Sequence, residues 1–128
     1  MLARDAAEKL KLAKPVALHT PLLGSLSGPG RMDTDVKMSK SDPSGTLLVH
    51  DSLKVLTKKL SKAYCPLERE GNPVLDIWQH LLEPAIGEIV IERPEKFGGN
   101  LEFNSYLELE ESYLSGSLHP LDLKNGTA

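Results

Sequence analysis

The sequence predicts a mixed α/β chain that is irregular in its first part and rich in helices after residue 51. Apolar residues recur at helical spacing in that later part, and capping residues precede the apolar runs. Two short apolar runs at 88–92 and 101–103, around a loop that contains glycine, predict a small β-hairpin. With 128 residues, the chain is long enough for one ordinary domain or for pieces of two.

The composition argues against several classes of protein. Hydrophobic residues make up 40% and charged residues 26%, which is typical of a soluble globular protein. A net charge of −3 argues against a nucleic-acid binder that works by charge alone, but leaves a specific binder open. A single cysteine, Cys65, excludes an internal disulfide and suits the cytoplasm. No apolar run approaches the roughly 18–20 residues that cross a membrane, so we expect no membrane partner.

The first fifty residues are predicted to be mostly irregular. The predicted elements are a helix over 2–12, a buried strand over 15–19, a long loop over 20–45 and a brief strand over 46–49. Leu2, Ala6 and Leu10 recur at helical spacing, which indicates the helix. The loop is rich in proline and glycine, and a loop of this length in a compact domain is usually functional or disordered.

The later part predicts four helical segments around the hairpin. They begin at Asp51 or Ser52, at Pro73, at Ser105 and after Pro120; the second is expected to end near Leu82, the third near Leu114 and the fourth after one turn. Asn72 before Pro73 is a favourable start, because proline has no N–H to leave unpaired in the first turn. Ser105 and Glu108 form a capping-box pattern. Leu53, Trp78 and Leu81 are expected to face the core.

Three lysines, Lys54, Lys58 and Lys62, share one face of the helix that begins near residue 51. A solvated lysine face is the more common explanation for this spacing. A stripe that contacts phosphates is the alternative, and the residues alone leave both open.

The most informative feature is the run Lys37-Met38-Ser39-Lys40-Ser41 within the long loop. Lysine ammonium groups and backbone N–H groups of such a loop can bind a polyphosphate. Taken by itself, a short loop of lysine and serine is also common on any solvated surface. The run reads KMSKS, and it resembles the second signature of class I aminoacyl-tRNA synthetases.

Further segments follow this run in a consistent order. They are Lys62 to Pro66, Glu70 to Pro73, Arg93 to Gly99, Ser105 to Glu110 and Leu118 to Asn125. Together with KMSKS they resemble the C-terminal half of tyrosyl-tRNA synthetase of the archaeal and eukaryotic type. The resemblance covers essentially the whole chain, and the last two segments fit the tyrosine enzyme better than the related tryptophan enzyme.

The resemblance implies two domains. Residues 1–50 would be the end of a Rossmann-like α/β catalytic domain that carries the KMSKS loop. Residues 51–128 would be an α-rich anticodon-binding domain with a small β-hairpin. The other signature of the family, an HIGH-like string, is absent, as are its tyrosine-binding elements. We therefore expect a piece of the enzyme that is truncated at both ends and inactive by itself.

The family also implies how the loop acts. The KMSKS loop closes over ATP and stabilises pyrophosphate as tyrosyl-adenylate forms, so catalysis depends on positioning and on charge stabilisation. By resemblance, Lys37 and Lys40 are the catalytic residues that contact the phosphates. Ser39 and Ser41 would support the loop, and Met38 belongs to the same ATP-binding run. Mg²⁺ is expected to accompany the ATP.

Resemblance further implies where the anticodon of tRNA(Tyr) is read. Phe97 would stack on the guanine at the first anticodon position, and Asp122 would accept hydrogen bonds from its N1–H and N2–H₂ donors. The residues implied to line the same region are Tyr64, Cys65, Pro66, His119, Pro120 and Lys124. Taken alone, Phe97 would be a core residue of the hairpin, and no spacing of histidines suggests a metal site.

The implied partners are tRNA(Tyr) and ATP, with tyrosine bound only together with the missing N-terminal half. Enzymes of this family are homodimeric and cytoplasmic. Two other functions stay open from the sequence. One is a tRNA-binding module without catalysis, and the other is the C-terminal subunit of a split synthetase.

Overall fold

The structure is a computed structural model that describes residues 2–29 and 37–128. Met1 and residues 30–36, in the middle of the predicted loop, lie outside the described residues. The described part is a small α/β structure with a two-stranded sheet. Its elements are α1 (Leu2–Lys9), α2 (Leu53–Ser61), α3 (Pro73–Ile77), a π-helical turn (Trp78–Leu82), α4 (Glu83–Ile86), β1 (Ile89–Ile91), a 3-10 turn (Glu95–Phe97), β2 (Leu101–Phe103), α5 (Tyr106–Leu114) and α6 (Pro120–Thr127).

The two strands form an antiparallel pair in which Ile89 lies opposite Phe103 and Ile91 lies opposite Leu101. Side chains alternate along a strand, so Ile89 and Ile91 are both buried while the residue between them is exposed. α6 packs against this buried face so closely that a Cβ on Gly126 would collide with Ile91. The hairpin predicted from the sequence is therefore confirmed.

One apolar core joins the helices to the hairpin. Its buried members are Leu26, Leu60, Ala63, Val74, Leu75, Ile77, Trp78, Ile89, Ile91, Phe103, Tyr106, Leu109, Tyr113, Leu118 and Leu123. Burial of a large apolar side chain contributes about 1.5–3 kcal/mol, so this cluster is the main source of stability. Leu26 belongs to it, and Met38 and Leu47 pack against it. Packing therefore crosses residue 50, and the domain boundary placed there stays a prediction.

The second predicted helix is longer than expected and contains a wider turn. Asn72 caps it, because its Oδ1 accepts from two backbone N–H groups at 3.1 and 3.2 Å. The π-helical turn follows α3, and Pro84 lies just beyond it, at the start of α4. Proline lacks the N–H of the usual helical bond. In the wider turn the Glu83 N–H donates to the Trp78 carbonyl, which carries the helix up to the proline.

The other helices of the later part are confirmed, with two burial predictions that are wrong. α2 begins after Ser52 and α5 ends at Leu114, as predicted, while α6 is longer than one turn. Leu53 is 70% exposed because it lies in the first turn of α2, beyond the core. Leu81 is 47% exposed because the π-helical turn rotates it away from the buried face.

The two strands predicted for the first part are wrong. Residues 15–19 form no strand, and Val16 and Leu18 are 94% and 93% exposed. A strand needs a neighbour for its backbone N–H and C=O groups, and residues 15–19 have none within the described chain. Residues 46–49 also lack strand pairing.

The helix predicted over 2–12 exists but ends at Lys9. Lys11 follows it with φ +56°, a left-handed conformation that ends a helix. Only Ala7 of this helix is buried, so the apolar stripe expected from Leu2, Ala6 and Leu10 does not pack on the core.

Candidate functional site

The KMSKS-like run begins at a short antiparallel contact between two chain segments. Gly24 and Lys37 form an isolated β-bridge, and the Met38 N–H donates to the Leu23 carbonyl at 3.2 Å. Met38 is half-buried against the core, whereas Lys37 is exposed. The backbone of the run is therefore fixed to the fold while its first lysine is accessible.

Thr46 closes the loop on itself. Its hydroxyl donates to the Ser39 carbonyl at 2.7 Å and accepts from the Ser39 N–H at 3.0 Å. Ser39 Oγ accepts in turn from the Ser41 N–H at 3.3 Å. These bonds use Ser39 and Ser41 within the loop, and Lys40 between them is exposed.

Asp42 organises the turn that follows the run. Its carboxylate accepts from the Ser44 hydroxyl at 2.6 Å and from the Ser27 hydroxyl at 3.3 Å. The bond from Ser44 is the main reason that the pKa of Asp42 lies below its ordinary value of 3.8. Gly45 lies so close to Asp42 and Ser25 that a Cβ there would collide with both. This turn therefore has no room for a larger residue.

A largely buried ion pair joins the loop to α2. Lys59 Nζ lies 2.6 Å from Asp51 Oδ2 and donates to the Thr46 carbonyl at 2.8 Å. The two side chains are only 14% and 11% exposed. The hydrogen bond from Lys59 is the largest cause that lowers the pKa of Asp51 below 3.8. Thr46 therefore anchors the loop in two ways: its hydroxyl binds Ser39, and its carbonyl accepts from Lys59.

A cavity of about 290 Å³ lies beside the first lysine of the run. Its lining residues are Leu22, Leu23, Gly24, Ser25, Gly28, Pro29, Lys37, Gly71 and Asp76. This volume is at the small end of the range for small-molecule sites, roughly 300–1,000 Å³. Lys40 is not among the lining residues, so the described structure does not bring both lysines to this one cavity.

A second group of predicted residues lies at the start of α6. His119 caps this helix, because its Nδ1 accepts from the Leu121 N–H at 3.1 Å. Pro120 occupies the first helical position, where its missing N–H costs nothing. Asp122 lies in the first turn with its side chain 18% exposed. The helix start thus holds Asp122 in a defined place.

Lys124 links α6 to the end of α2, because its Nζ donates to the Ser61 carbonyl at 3.4 Å. The predicted residues Tyr64, Cys65 and Pro66 follow this point of the chain. The end of α2, which the segment Tyr64 to Pro66 follows, therefore lies against α6, which carries Asp122 and Lys124.

The segment from Tyr64 to Pro66 is held by buried polar groups. The Tyr113 hydroxyl donates to the Pro66 carbonyl at 2.8 Å and lies 3.1 Å from Cys65 Sγ. Asn72 Nδ2 donates to the same Pro66 carbonyl at 2.9 Å. Burial, followed by the contact with Cys65, raises the pKa of Tyr113 and keeps its hydroxyl neutral. Tyr64 itself is 42% exposed.

Phe97 lies in the loop that connects β1 and β2. Its side chain is 60% exposed, so the alternative prediction of a hairpin core residue is wrong. Lys96 Nζ lies 4.8 Å from the centroid of the Phe97 ring, which is a cation–π contact. An exposed aromatic ring beside a cation suits stacking on a nucleic-acid base.

Sequence reasoning assigned no role in the site to four residues that hold these groups: Thr46, Asn72, Arg93 and Tyr113. Asn72 before Pro73 signals a helix cap, but not a bond to Pro66. Tyr113 reaches a partner 47 positions earlier in the chain, so no local spacing rule reveals it. Arg93 approaches Asp122, far along the chain, for the same reason.

Two further properties concern the described part of the chain. Across residues 2–29 and 37–128, no three His, Cys, Asp or Glu side chains stand close enough together to hold a metal ion. In that same part, no helix is long and apolar enough to cross a membrane.

Known proteins match this chain along its whole length. A family described as tRNA synthetases class I (W and Y) matches residues 1–128. The tyrosine–tRNA ligase of Aeropyrum pernix is 49% identical over 100% of this chain, and that of Picrophilus torridus is 47% identical over 98% of it. The tyrosyl-tRNA synthetase of Archaeoglobus fulgidus, crystallised with L-tyrosine, is 42% identical with a TM-score of 0.85 over 98% of this chain and 37% of that one.

The chain spans only 38% of the length of the ligases of Aeropyrum pernix and Picrophilus torridus. The prediction that the chain resembles the C-terminal half of such an enzyme is wrong, because the matched part is less than half of each ligase. A more distant structure, the tyrosyl-tRNA synthetase of Leishmania major with tyrosinol, is 27% identical with a TM-score of 0.76. It covers 96% of this chain, which matches 22% of that one.

Proposed function

Since the chain belongs to the family of class I tRNA synthetases (W and Y), we propose that it is part of a tyrosine–tRNA ligase. The observation that carries the proposal is the match to tyrosine–tRNA ligases along the entire chain at 42–49% identity. The whole enzyme would activate tyrosine with ATP to tyrosyl-adenylate and then charge tRNA(Tyr). Because this chain spans 38% of its relatives, tyrosine would bind together with the remainder of such an enzyme.

The proposed role of residues 37–41 is to bind the phosphates of ATP. Support comes from a loop whose backbone is anchored through Met38 and Thr46 while Lys37 and Lys40 are exposed. An anchored loop holds its charges in place before the reaction, so little reorganisation is needed as charge builds on the leaving pyrophosphate. The ammonium groups would stabilise that charge, and Ser39 and Ser41 would keep the loop in shape.

Mg²⁺ would bind as a complex with ATP. Magnesium usually keeps several waters and binds substrate phosphates rather than a dedicated protein cage. We assign no residue of this chain as a magnesium ligand.

The proposed role of the hairpin loop and α6 is to read the first anticodon base. Phe97 would stack on the guanine, and the Asp122 carboxylate would accept from its N1–H and N2–H₂ groups. Support comes from the exposure of Phe97 and from the defined position of Asp122 in the first turn of α6. Tyr64, Cys65 and Pro66, with His119, Pro120 and Lys124, would line the same region.

The division of the chain at residue 50 into a Rossmann-like catalytic remnant and an anticodon-binding unit is part of the proposal. So are the homodimeric state and the cytoplasmic location that go with this family. A tRNA-binding module without catalysis, or one subunit of a split synthetase, would use the same two surfaces. An activity measurement in a completed enzyme separates these functions.

The test is a chimera in which residues 1–128 replace the matching part of the Aeropyrum pernix ligase. Tyrosine-dependent exchange between ATP and pyrophosphate is measured. We expect exchange in the chimera and none from the chain alone, because positioning requires all parts of a site. Lys40→Ala should lower kcat about 30- to 1,000-fold, or about 2–4 kcal/mol, with the KM for tyrosine unchanged.

The matched control is Lys9→Ala, which removes an exposed lysine from the end of α1 and should leave exchange unchanged. A Lys40→Ala chimera whose only defect is weaker tyrosine binding would contradict the role of this lysine. A chimera that binds tRNA(Tyr) but catalyses no exchange would instead support the non-catalytic module.

A second measurement in the chimera concerns the anticodon. Phe97→Ala and Asp122→Ala should weaken charging of tRNA with guanine at the first anticodon position, while pyrophosphate exchange stays nearly unchanged. Loss of stacking on Phe97 is expected to cost about 1–3 kcal/mol. If tRNAs with guanine and with cytosine at that position respond equally to Asp122→Ala, the carboxylate does not read the base.

A further inference from the structure

Arg93 directly connects the loop that carries Phe97 to the helix that carries Asp122. Its side chain is only 10% exposed, and its Nε donates to the Gly99 carbonyl at 3.0 Å. Its Nη1 lies 3.9 Å from Asp122 Oδ2 at the start of α6. One guanidinium therefore contacts two elements that are otherwise separated along the chain.

The loop is shaped around this side chain. Gly98 and Gly99 have φ values of +100° and +73°, a backbone conformation that favours glycine. A Cβ at Gly98 would lie 3.3 Å from Arg93 Nη2, so the chain passes close to the guanidinium. The Arg93 N–H also donates to Asn100 Oδ1 at 3.2 Å. These contacts hold the part of the loop that directly follows Phe97.

The contact with Asp122 differs from an ordinary surface ion pair. The two side chains are 10% and 18% exposed, compared with 46% and 67% for the pair of Lys14 and Glu8. At 3.9 Å the charges attract each other, but the distance is too long for a strong hydrogen bond. The Asp122 oxygens therefore keep their capacity to accept hydrogen bonds from a ligand.

We propose that Arg93 is a positioning residue for base recognition, which sets the distance between the Phe97 ring and the Asp122 carboxylate. The inference rests on the proposed function of that surface. A planar guanidinium can serve both partners at once because its donors point in several fixed directions. Lysine, with a single ammonium, cannot hold the Gly99 carbonyl and face Asp122 with the same geometry.

The experiment measures binding of the full chain to a short RNA hairpin by fluorescence anisotropy. One hairpin carries guanine at the first anticodon position and the other carries inosine, which lacks the N2 amino group. The dissociation constant for the inosine hairpin divided by that for the guanine hairpin reports recognition of the base by Asp122. Arg93→Ala is expected to lower this ratio by at least roughly fivefold, as does Asp122→Ala, because a displaced carboxylate loses its paired contact with the base.

Arg93→Lys should restore only part of the ratio, although it keeps the charge. Glu95→Gln, an exposed change in the same loop, is the control and should leave the ratio unchanged. If Arg93→Ala fails to fold, Arg93→Lys decides by itself. A wild-type ratio in that variant overturns the inference.

Equal weakening of both hairpins by Arg93→Ala also overturns it, because that result indicates a phosphate contact or a purely structural role. If the unmodified chain binds the two hairpins equally and Phe97→Ala and Asp122→Ala have no effect, the proposed function fails and the inference fails with it. Discrimination that depends on Phe97 and Asp122 but not on Arg93 leaves the proposed function standing and removes only the inference.

Discussion

Val16 and Leu18 are 94% and 93% exposed, whereas Leu75 and Ile89 are fully buried. The first two belong to residues 2–22 and the others to residues 53–127, and all four are branched aliphatic residues. Residue type therefore does not decide burial in this chain. The later region has helices on several sides that cover its apolar faces, and the early region has no such cover in the described structure.

The hydrogen bonds of the two regions differ in the same way. In residues 2–22 the side-chain contacts are local and exposed, such as Arg4 Nη1 to the Pro15 carbonyl at 3.0 Å. In residues 53–127, Trp78 Nε1 donates to Thr127 Oγ1 at 2.8 Å across 49 positions of the chain. Long-range bonds of this kind tie helices into one unit. An uncovered apolar segment instead promotes association with other surfaces.

The largest expected difference is in hydrogen exchange. We expect core amides in α5 and β1 to exchange only when the later region unfolds, while amides of residues 16–19 should exchange without unfolding. We expect the former to exchange at least roughly a thousandfold more slowly, equivalent to about 4 kcal/mol. Native-state hydrogen exchange measures these rates, and light scattering detects any association of the chain. Uniform protection from Leu2 to Leu123 would remove the distinction between the two regions.

A matched pair of leucine substitutions sharpens the comparison. Leu75→Ala should lower the free energy of unfolding by about 2–5 kcal/mol, because it leaves a cavity in a fully buried site. Leu18→Ala removes the same atoms from an exposed site and should change stability by less than about 0.5 kcal/mol. Urea unfolding followed by circular dichroism tests both. Equal effects would show that Leu18 is covered in solution.

At Tyr113 we expect a smaller effect on stability, and this effect depends on pH. Burial raises its pKa above the ordinary 10.0, so the folded state holds the phenolic proton more tightly than the unfolded state. This contribution to stability is complete below about pH 10 and is lost as the pH rises further. Tyr113→Phe should cost about 0.5–1.5 kcal/mol at neutral pH through the lost hydrogen bond to Pro66.

The measurement is the free energy of unfolding between pH 8 and pH 11, with and without Tyr113→Phe. The variant should lose less stability across this interval than the unmodified chain. Burial also raises the pKa of Tyr106, so some alkaline loss should persist in the variant. A steeper decline in Tyr113→Phe would contradict the assignment.

The smallest expected effect on stability is at the lysines of α2. Lys58 and Lys62 line a cavity of about 500 Å³ together with Leu26 and Ser27. Each lysine-to-alanine change should alter stability by less than about 0.5 kcal/mol. The logarithm of the RNA-binding constant falls linearly with the logarithm of the salt concentration. If these lysines contact RNA phosphates, each change should make the slope of that line shallower by about 0.7–0.9. An unchanged slope would favour the solvated lysine face.

Local signals were sufficient wherever a segment carries its own start and end. Asn72 with Pro73 predicts the start of α3, and Ser105 with Glu108 predicts the start of α5. Two short apolar runs around a loop that contains glycine predict the hairpin. Such features depend on neighbours within about four residues, which the sequence shows directly.

The candidate site was predictable only in part. The KMSKS run and the order of the later segments indicate the family, and the comparisons confirm the family. Nothing local indicates that Thr46 closes the loop onto Ser39, or that Arg93 reaches Asp122. These contacts depend on how distant segments fold onto each other.

The sequence by itself determined the helical and hairpin elements of the later region and the family of the chain. Tertiary structure decided which apolar residues are covered, why Leu53 and Leu81 face outward, and which polar groups hold Phe97 and Asp122 in place. The physical reason is that caps and periodicity act along the chain, whereas burial and long-range hydrogen bonds exist only between packed elements.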